Sequence, residues 1–180
     1  MGRTSYTLRD GRQLLLREPQ KSDAADCLEF LKRVGAETDF LLCDENGIPG
    51  MTLESEEQYL ESAAADPKTG MFLGFVGGEL VTVFDVRPHT RARTAHNATI
   101  SLSILREYWH LGIGTIAMQT MIAFARAAGT VKILNLEVHA GNARAIALYE
   151  RFGFAVVGRH KDRLNVRGEY FDELLMDLAL

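Results

Sequence analysis

A strand that runs into a glycine turn, which then opens a helix, limits this chain more than any other feature. It reads Ile104-Leu105-Arg106-Glu107-Tyr108-Trp109-His110-Leu111-Gly112-Ile113-Gly114-Thr115. Upstream, Ile100, Leu102 and Ile104 alternate with Thr99, Ser101 and Ser103, the period of a strand with one buried face over Ala98–Leu105. Downstream, Ile116, Met121, Ile122 and Ala125 fall at helical spacing from about Gly114 to Ala128, and Gly129 ends the run. The first amides of a helix lack internal partners and lie at the positive end of its dipole. Glycines there let an anion approach the backbone, so the turn has the makings of a phosphate site.

Two nucleotide cofactors compete for such a turn. Gly112-Ile113-Gly114-Thr115-Ile116-Ala117 satisfies the G-x-G-x-x-A form of the dinucleotide fingerprint, and Glu137 falls near the place of its ribose-binding acid. Three features oppose that reading. Glu107–Leu111 separates the strand from the first glycine, a hairpin precedes the strand, and only about 40 residues follow Val138, too few for the remaining βαβ units.

The rest of the chain alternates strand and helix patterns. Strands are expected at Gln13–Arg17, Met71–Val76, Leu80–Val86, Val131–Val138, Phe154–Gly158 and Phe171–Leu178. Gly77-Gly78 makes a hairpin turn, and Arg167-Gly168 another. A first helix follows a Ser22-Asp23 cap and stops at Gly35; a second spans Glu56–Ala65 after Thr52 or Ser55. A short helix, Ala143–Phe152, lies between an Asn142 cap and Gly153. Arg87–Thr94 and Arg159–Arg167 read as solvated polar segments. This order predicts an α/β (α+β) class domain: a single mixed, mostly antiparallel twisted sheet flanked by helices, with residues 1–180 forming one domain.

Composition excludes several classes. A net charge of -4 leaves no large basic footprint, so no nucleic-acid partner is expected. No run of about 18 apolar residues occurs, so no membrane span is expected either. Cys27 and Cys43 form no metal-ligand pattern; free buried thiols in a reducing cytoplasm are expected, and no metal.

With these residues in view, the chain resembles the GCN5-related N-acetyltransferase superfamily. That family's cofactor motif, R/Q-x-x-G-x-G/A, appears as Trp109-His110-Leu111-Gly112-Ile113-Gly114, with Trp109 in place of the usual Arg or Gln. Asn142-Ala143-Arg144-Ala145-Ile146-Ala147-Leu148-Tyr149-Glu150-Arg151-Phe152-Gly153-Phe154 resembles its N-x-x-A-x-x-L-Y-x-x-x-G-F block, and Gly168–Glu173 its late strand. The resemblance covers about Arg12–Leu178. It implies acetyl-CoA as co-substrate and an acceptor that is a small-molecule amine or a protein amine. It further implies that Ile104 and Leu105 pair by backbone with the pantetheine arm, as an added strand would. The amides of His110, Leu111, Gly112, Ile113, Gly114 and Thr115 would cradle the pyrophosphate, Asn142 would contact pantetheine, and Tyr149 would sit by the thioester sulfur. Relatives are often dimers, so a homodimer is a further expectation.

Members join amine to thioester directly, so the amine must first lose its proton. Near pH 7 that costs about 4.6 kcal/mol for a lysine-like amine and about 1.4 kcal/mol for an α-amine. Many relatives carry a glutamate base where this chain has Thr99. His96, just before the strand, is the candidate base; Tyr149 is the candidate acid for the leaving thiolate; Glu37, after the first helix, is the candidate acceptor-binding residue. A non-catalytic acyl-CoA sensor that kept the cleft is the alternative.

Overall fold

The computed structural model describes residues 2–180. Its eight strands are β1 (Thr4–Thr7), β2 (Gln13–Arg17), β3 (Gly70–Val76), β4 (Glu79–Pro88), β5 (Asn97–Ile104), β6 (Ile133–His139), β7 (Ala155–Val166) and β8 (Glu169–Ala179). They form one sheet in the order β1-β2-β3-β4-β5-β6-β8-β7. Every neighbouring pair is antiparallel except β5 and β6. The helices are α1 (Ala24–Glu37), α2 (Leu53–Ala65), α3 (Ile113–Ala128) and α4 (Ala143–Arg151). The expected class, a mixed and mostly antiparallel sheet flanked by helices, is the one observed. Among the described residues, no helix is long and apolar enough to cross a membrane.

The helices divide between the two faces of the sheet. On β3 and β4, Phe72 and Phe84 stack with centroids 5.2 Å apart, and Phe124 of α3 meets Phe72 edge-on at 5.9 Å. Alternation places Asp85 on the opposite face, where the charges of Asp85 and Arg87 reach Tyr59 of α2. So α3 covers one face of the central strands, and the α1–α2 pair covers the other. In α3 the buried positions Ile113, Ala117, Met121 and Ala125 recur every four residues, which explains why that helix was legible as an amphipathic period.

Several local expectations are corrected. Gly35 does not stop α1, which continues to Glu37. A Cβ at Gly35 would lie 2.2 Å from the Asp44 carbonyl oxygen, so the glycine serves a close chain crossing. Asp23 stands at the α1 N-cap but makes no side-chain cap bond there. Arg159–Arg167 is no loop: β7 runs through to Val166, and β1 was not foreseen. Neither strand shows a buried alternation, because each lies at a sheet edge and exposes much of itself to solvent. Cross-strand ion pairs such as Arg159–Asp172 hold β7 instead. Cys27 and Cys43 are free and buried, as expected.

A buried ion pair fixes β2 to the start of α1. Arg17 reaches Asp23 with both terminal nitrogens, at 2.6 and 2.7 Å, and the Gln20 amide adds a third bond at 2.7 Å. Burial penalises the Asp23 charge, but Arg17 and Gln20 outweigh it and hold the carboxyl below the usual range. A depressed folded pKa means that this stabilisation is present above about pH 4 and is lost as pH falls through the folded value. Replacing Asp23 by Ala strands the Arg17 charge and is expected to cost about 3–5 kcal/mol in urea unfolding at pH 7. The deficit should shrink in acid.

Candidate active site

The site begins where β5 and β6 part. Their parallel pairing covers only Asn97↔Ile133, Ala98↔Leu134 and Thr99↔Asn135. Beyond Thr99 the two strands diverge, and the gap opens a cavity of about 510 Å³. Its walls include Thr99–Ile104 of β5, Glu137–His139 of β6 and the α3 and α4 starts.

Backbone register decides what faces the gap. The Leu105 amide donates to the Val81 carbonyl, and the His89 amide donates to the Asn97 carbonyl, each at 3.0 Å. Odd-numbered residues of β5 therefore bond to β4, and Ile100, Leu102 and Ile104 turn their polar groups toward the gap. Leu105 is placed elsewhere than expected. Its carbonyl also accepts the Tyr108 amide and its side chain is fully buried, so it has no backbone group left for a ligand. Ile104 keeps its amide for the gap, while its carbonyl accepts the Trp109 indole N–H at 2.8 Å.

That bond accounts for tryptophan at the first place of the motif. Trp109 anchors the strand end, and the Arg144 guanidinium of α4 stacks 3.1 Å from its ring centroid. A positive charge thus still stands at the cavity wall, delivered from another helix.

The phosphate loop is oriented by its own carbonyls. Those of His110 and Leu111 accept from Arg9, by side chain and by amide, at 3.2 Å each. Peptide planarity then turns the following amides, of Leu111 and Gly112, to the other side. The amides of Gly112, Ile113 and Gly114 find no backbone acceptor among the described residues. The glycines have different jobs. Gly112 has φ +99°, a conformation that a side chain disfavours, with open space around it. Gly114 has ordinary φ, but a Cβ there would lie 3.0 Å from a Leu148 methyl of α4. Arg151 donates to the Thr115 hydroxyl at 3.1 Å, adding a second cation beside the loop.

From α4, Asn142 caps its own helix by accepting the Ala145 amide at 3.2 Å, and it borders the cavity. Tyr149 borders it too. Burial pushes the Tyr149 hydroxyl up to about 12, against the opposing pull of Arg144, so the phenol stays protonated at neutral pH. Burial and the Arg144 charge are the influences on that hydroxyl, and no hydrogen bond to it is found among the described residues.

Two expected side chains lie outside. His96 is exposed and absent from the cavity wall; its carbonyl accepts the Lys132 amide at 2.7 Å. It stands at the far end of β5, about 26 Å of extended strand from Ile104. Glu37 is also absent from the wall. Its carboxylate accepts the Arg106 amide at 2.6 Å and so caps the turn that leads into the phosphate loop. Both corrections share a cause: proximity in sequence to a strand or helix end does not say which way that end points.

Sequence reading missed what does face the cavity on the α1–α2 side. Thr99 donates to Asn135 at 2.7 Å, so it accepts from His89 Nε2 at 3.2 Å. Ser101 donates to Asp85 at 2.8 Å; burial raises that carboxyl, against the nearby Arg87. His139 is held between Phe40 and Phe171, with centroids 5.0 and 4.9 Å away. Its Nδ1 accepts the Gly141 amide at 2.9 Å, so the neutral ring carries its proton on Nε2. Opposite His139 in the register stands Glu173 of β8, buried and on the cavity wall. Phe40 comes from the segment after α1; the others come from four stretches of the sheet, and only its register brings them to one face, with His89 and Asp85 behind the wall.

A splayed strand pair that ends on a glycine-opened helix defines a cleft for an extended, phosphate-bearing ligand. The chain belongs to the acetyltransferase (GNAT) family, whose model matches residues 35–154. It is 31% identical to a GNAT-family acetyltransferase of Streptococcus pneumoniae, with a TM-score of 0.87 over 93% of this chain and 99% of that one. It is 25% identical, over 68% of its length and 75% of the relative's, to the L-amino acid N-acetyltransferase AaaT of Escherichia coli (strain K12). The fold also matches yncA from Salmonella typhimurium, solved with its cofactor acetyl-CoA, at 17% identity and a TM-score of 0.79 over 93% and 94% of the chains.

Proposed function

We propose that the protein moves the acetyl group of acetyl-CoA to the amine of a small acceptor by direct attack on the thioester. The observation that carries this reading is the β5–β6 splay, which opens at Thr99 and ends on the unpaired amides of Gly112–Gly114. The pyrophosphate would rest on the loop from His110 to Thr115, with Arg9 and Arg151 beside it. Pantetheine would add as a strand to the groups of Leu102 and Ile104. Asn142 would meet the arm, and Tyr149 would face the sulfur.

Tyr149 acts in this reading as a hydrogen-bond donor to the departing sulfur. A thiol ionises near pH 8.5, so a full proton transfer from a phenol raised to about 12 runs uphill. Donation without transfer still stabilises the charge that develops as the C–S bond breaks.

The acceptor side carries both signs of charge, Glu137 and Glu173 together with Arg87. Apolar Phe40, Leu41 and Leu42 lie beside them. A small amine that also bears a carboxylate, such as an L-amino acid, suits that wall, and one relative is named for that substrate class.

The purified protein should show a thermal upshift with acetyl-CoA and none with NAD. With acetyl-CoA and a panel of L-amino acids it should release free thiol. No shift with acetyl-CoA would sink the cofactor assignment. Tight acetyl-CoA binding without thiol release for any amine would instead fit an acyl-CoA sensor.

A further inference from the structure

An N-acetyl transfer needs a group that takes the ammonium proton, and the structure removes the obvious candidates. Thr99 does not titrate in the working range, and His96 lies off the cavity. His139 reaches the cavity, but the Gly141 amide occupies its Nδ1, so the neutral ring offers only a donor. His89 and Asp85 stand behind Thr99 and Ser101 and are not on the wall.

Glu173 remains. It is 5% exposed and lies on the cavity wall, one strand beyond His139 on the face shared with Thr99 and Asn135. Its carboxylate is held at one oxygen only. Oε2 lies 3.4 Å from His160 Nδ1 and 3.7 Å from Arg163 Nε, both on β7. Oε1 has no hydrogen-bond partner among the described residues, yet it is not sealed off as a buried orphan. Glu137, also on the wall, brings a carboxylate close: one ligand-type atom each of Glu137, His160 and Glu173 lie within 4.8 Å of one another.

We infer that Glu173 is the general base of the reaction, and that the acceptor ammonium docks between the Glu137 and Glu173 carboxylates. The inference rests on the acetyl-transfer reading above. Glu173 takes one proton from the ammonium, which leaves a neutral amine. The amine nitrogen bonds to the thioester carbon and the C–S bond breaks. A second nitrogen proton goes to the departing thiolate, and Glu173 returns its proton to solvent. One acetamide, one thiol and one proton leave for each ammonium and thioester consumed.

The charged and titratable groups around Glu173 are Glu137 and His139 on β6, and His160 and Arg163 on β7. On its own strand, Asp172 is tied to Arg159, and Asp39, in the segment after α1, is tied to Arg167. Of these groups, only Glu137 brings a second carboxylate into the cluster around Glu173.

The test is a Glu173→Gln variant in the thiol-release assay, with acetyl-CoA and the L-amino acid that the wild type turns over fastest. The neutral amide keeps shape and donors but cannot take a proton. At pH 7 kcat should fall about 100- to 1000-fold. The thermal upshift with acetyl-CoA should match the wild type, which shows a folded, loaded protein. The deficit should shrink below tenfold by pH 10, where the acceptor ammonium loses its proton unaided. Glu137→Gln should mainly raise the acceptor KM, and a chelator should change nothing. An E173Q variant within threefold of wild type in kcat, or altered only in acceptor KM, overturns the assignment. So does a deficit that stays constant from pH 7 to 10, or loss of wild-type activity on chelation, which would make the three residues a metal site. A wild type that releases no thiol with any amine fails at the earlier step and overturns the acetyl-transfer reading instead.

Discussion

Replacing Gly114 by leucine is expected to abolish acetyl-CoA binding, raising Kd by 100-fold or more, while Gly114→Ala stays within a few-fold of wild type. A Cβ alone meets a Leu148 methyl at 3.0 Å and an Ile104 methyl at 3.7 Å, and a side-chain terminus can shift by that much. A full leucine has no free direction between α3 and α4. It must push α4 away, at a cost of about 1–3 kcal/mol in stability. The loop amides, Arg151 and Asn142 are then displaced together. Gly112→Ala should fail differently, since nothing lies within 4 Å of its Cβ but φ is +99°. The strain there is about 1–2 kcal/mol and acts on the loop itself. Calorimetric titration with acetyl-CoA separates the two cases. Unaltered affinity in the leucine variant would mean that the cofactor does not use this helix start.

Tyr149→Phe is expected to lower kcat about 100-fold, the cost of removing one donor aimed at developing charge, with acetyl-CoA affinity unchanged. The phenol is buried and its hydroxyl has no hydrogen-bond partner among the described residues, so phenylalanine leaves no stranded group behind. Because burial pushes the hydroxyl up to about 12, its donor role should persist through the working range and fade only as pH rises toward that value. Steady-state thiol release from pH 7 to 10 provides the check. A variant within threefold of wild type would make Tyr149 a packing residue against Phe154, whose ring lies 6.0 Å away.

Much of the fold was legible because burial imposes a period. The β5 alternation, the four-residue repeat of α3 and the Gly77-Gly78 hairpin all leave local marks. The Asn142 cap is another, read correctly from a single side chain. Edge strand β1 left none, and β7 showed only its first residues, expected as Phe154–Gly158, because solvent on their exposed sides removes the apolar alternation. Gly35 misled because a glycine kept for a close crossing looks, in sequence, like one that ends a helix.

The candidate site divides along the same line. The phosphate loop is a contiguous segment, and its chemistry lies in backbone amides that any reader of Gly112-Ile113-Gly114 can place. Trp109 looked like a loss from the motif, yet the structure shows it holding the Ile104 carbonyl and stacking under Arg144, a residue 35 positions away. Glu37 and His96 looked well placed and proved to be a turn cap and an exposed loop residue. Glu173 was invisible as a site residue, because nothing in its neighbourhood marks it as facing a cavity.

By itself, then, the sequence determined the helices and inner strands, the glycine-opened helix and the family, since each is written in contiguous residues whose periods and turns act locally. Only the tertiary structure decided which side chains share the acceptor face. That depends on the parting of β5 from β6 after Thr99 and on the register that sets Glu173 opposite His139. Strand order and register are long-range properties, and a one-residue shift would have turned every one of those groups to the other side of the sheet.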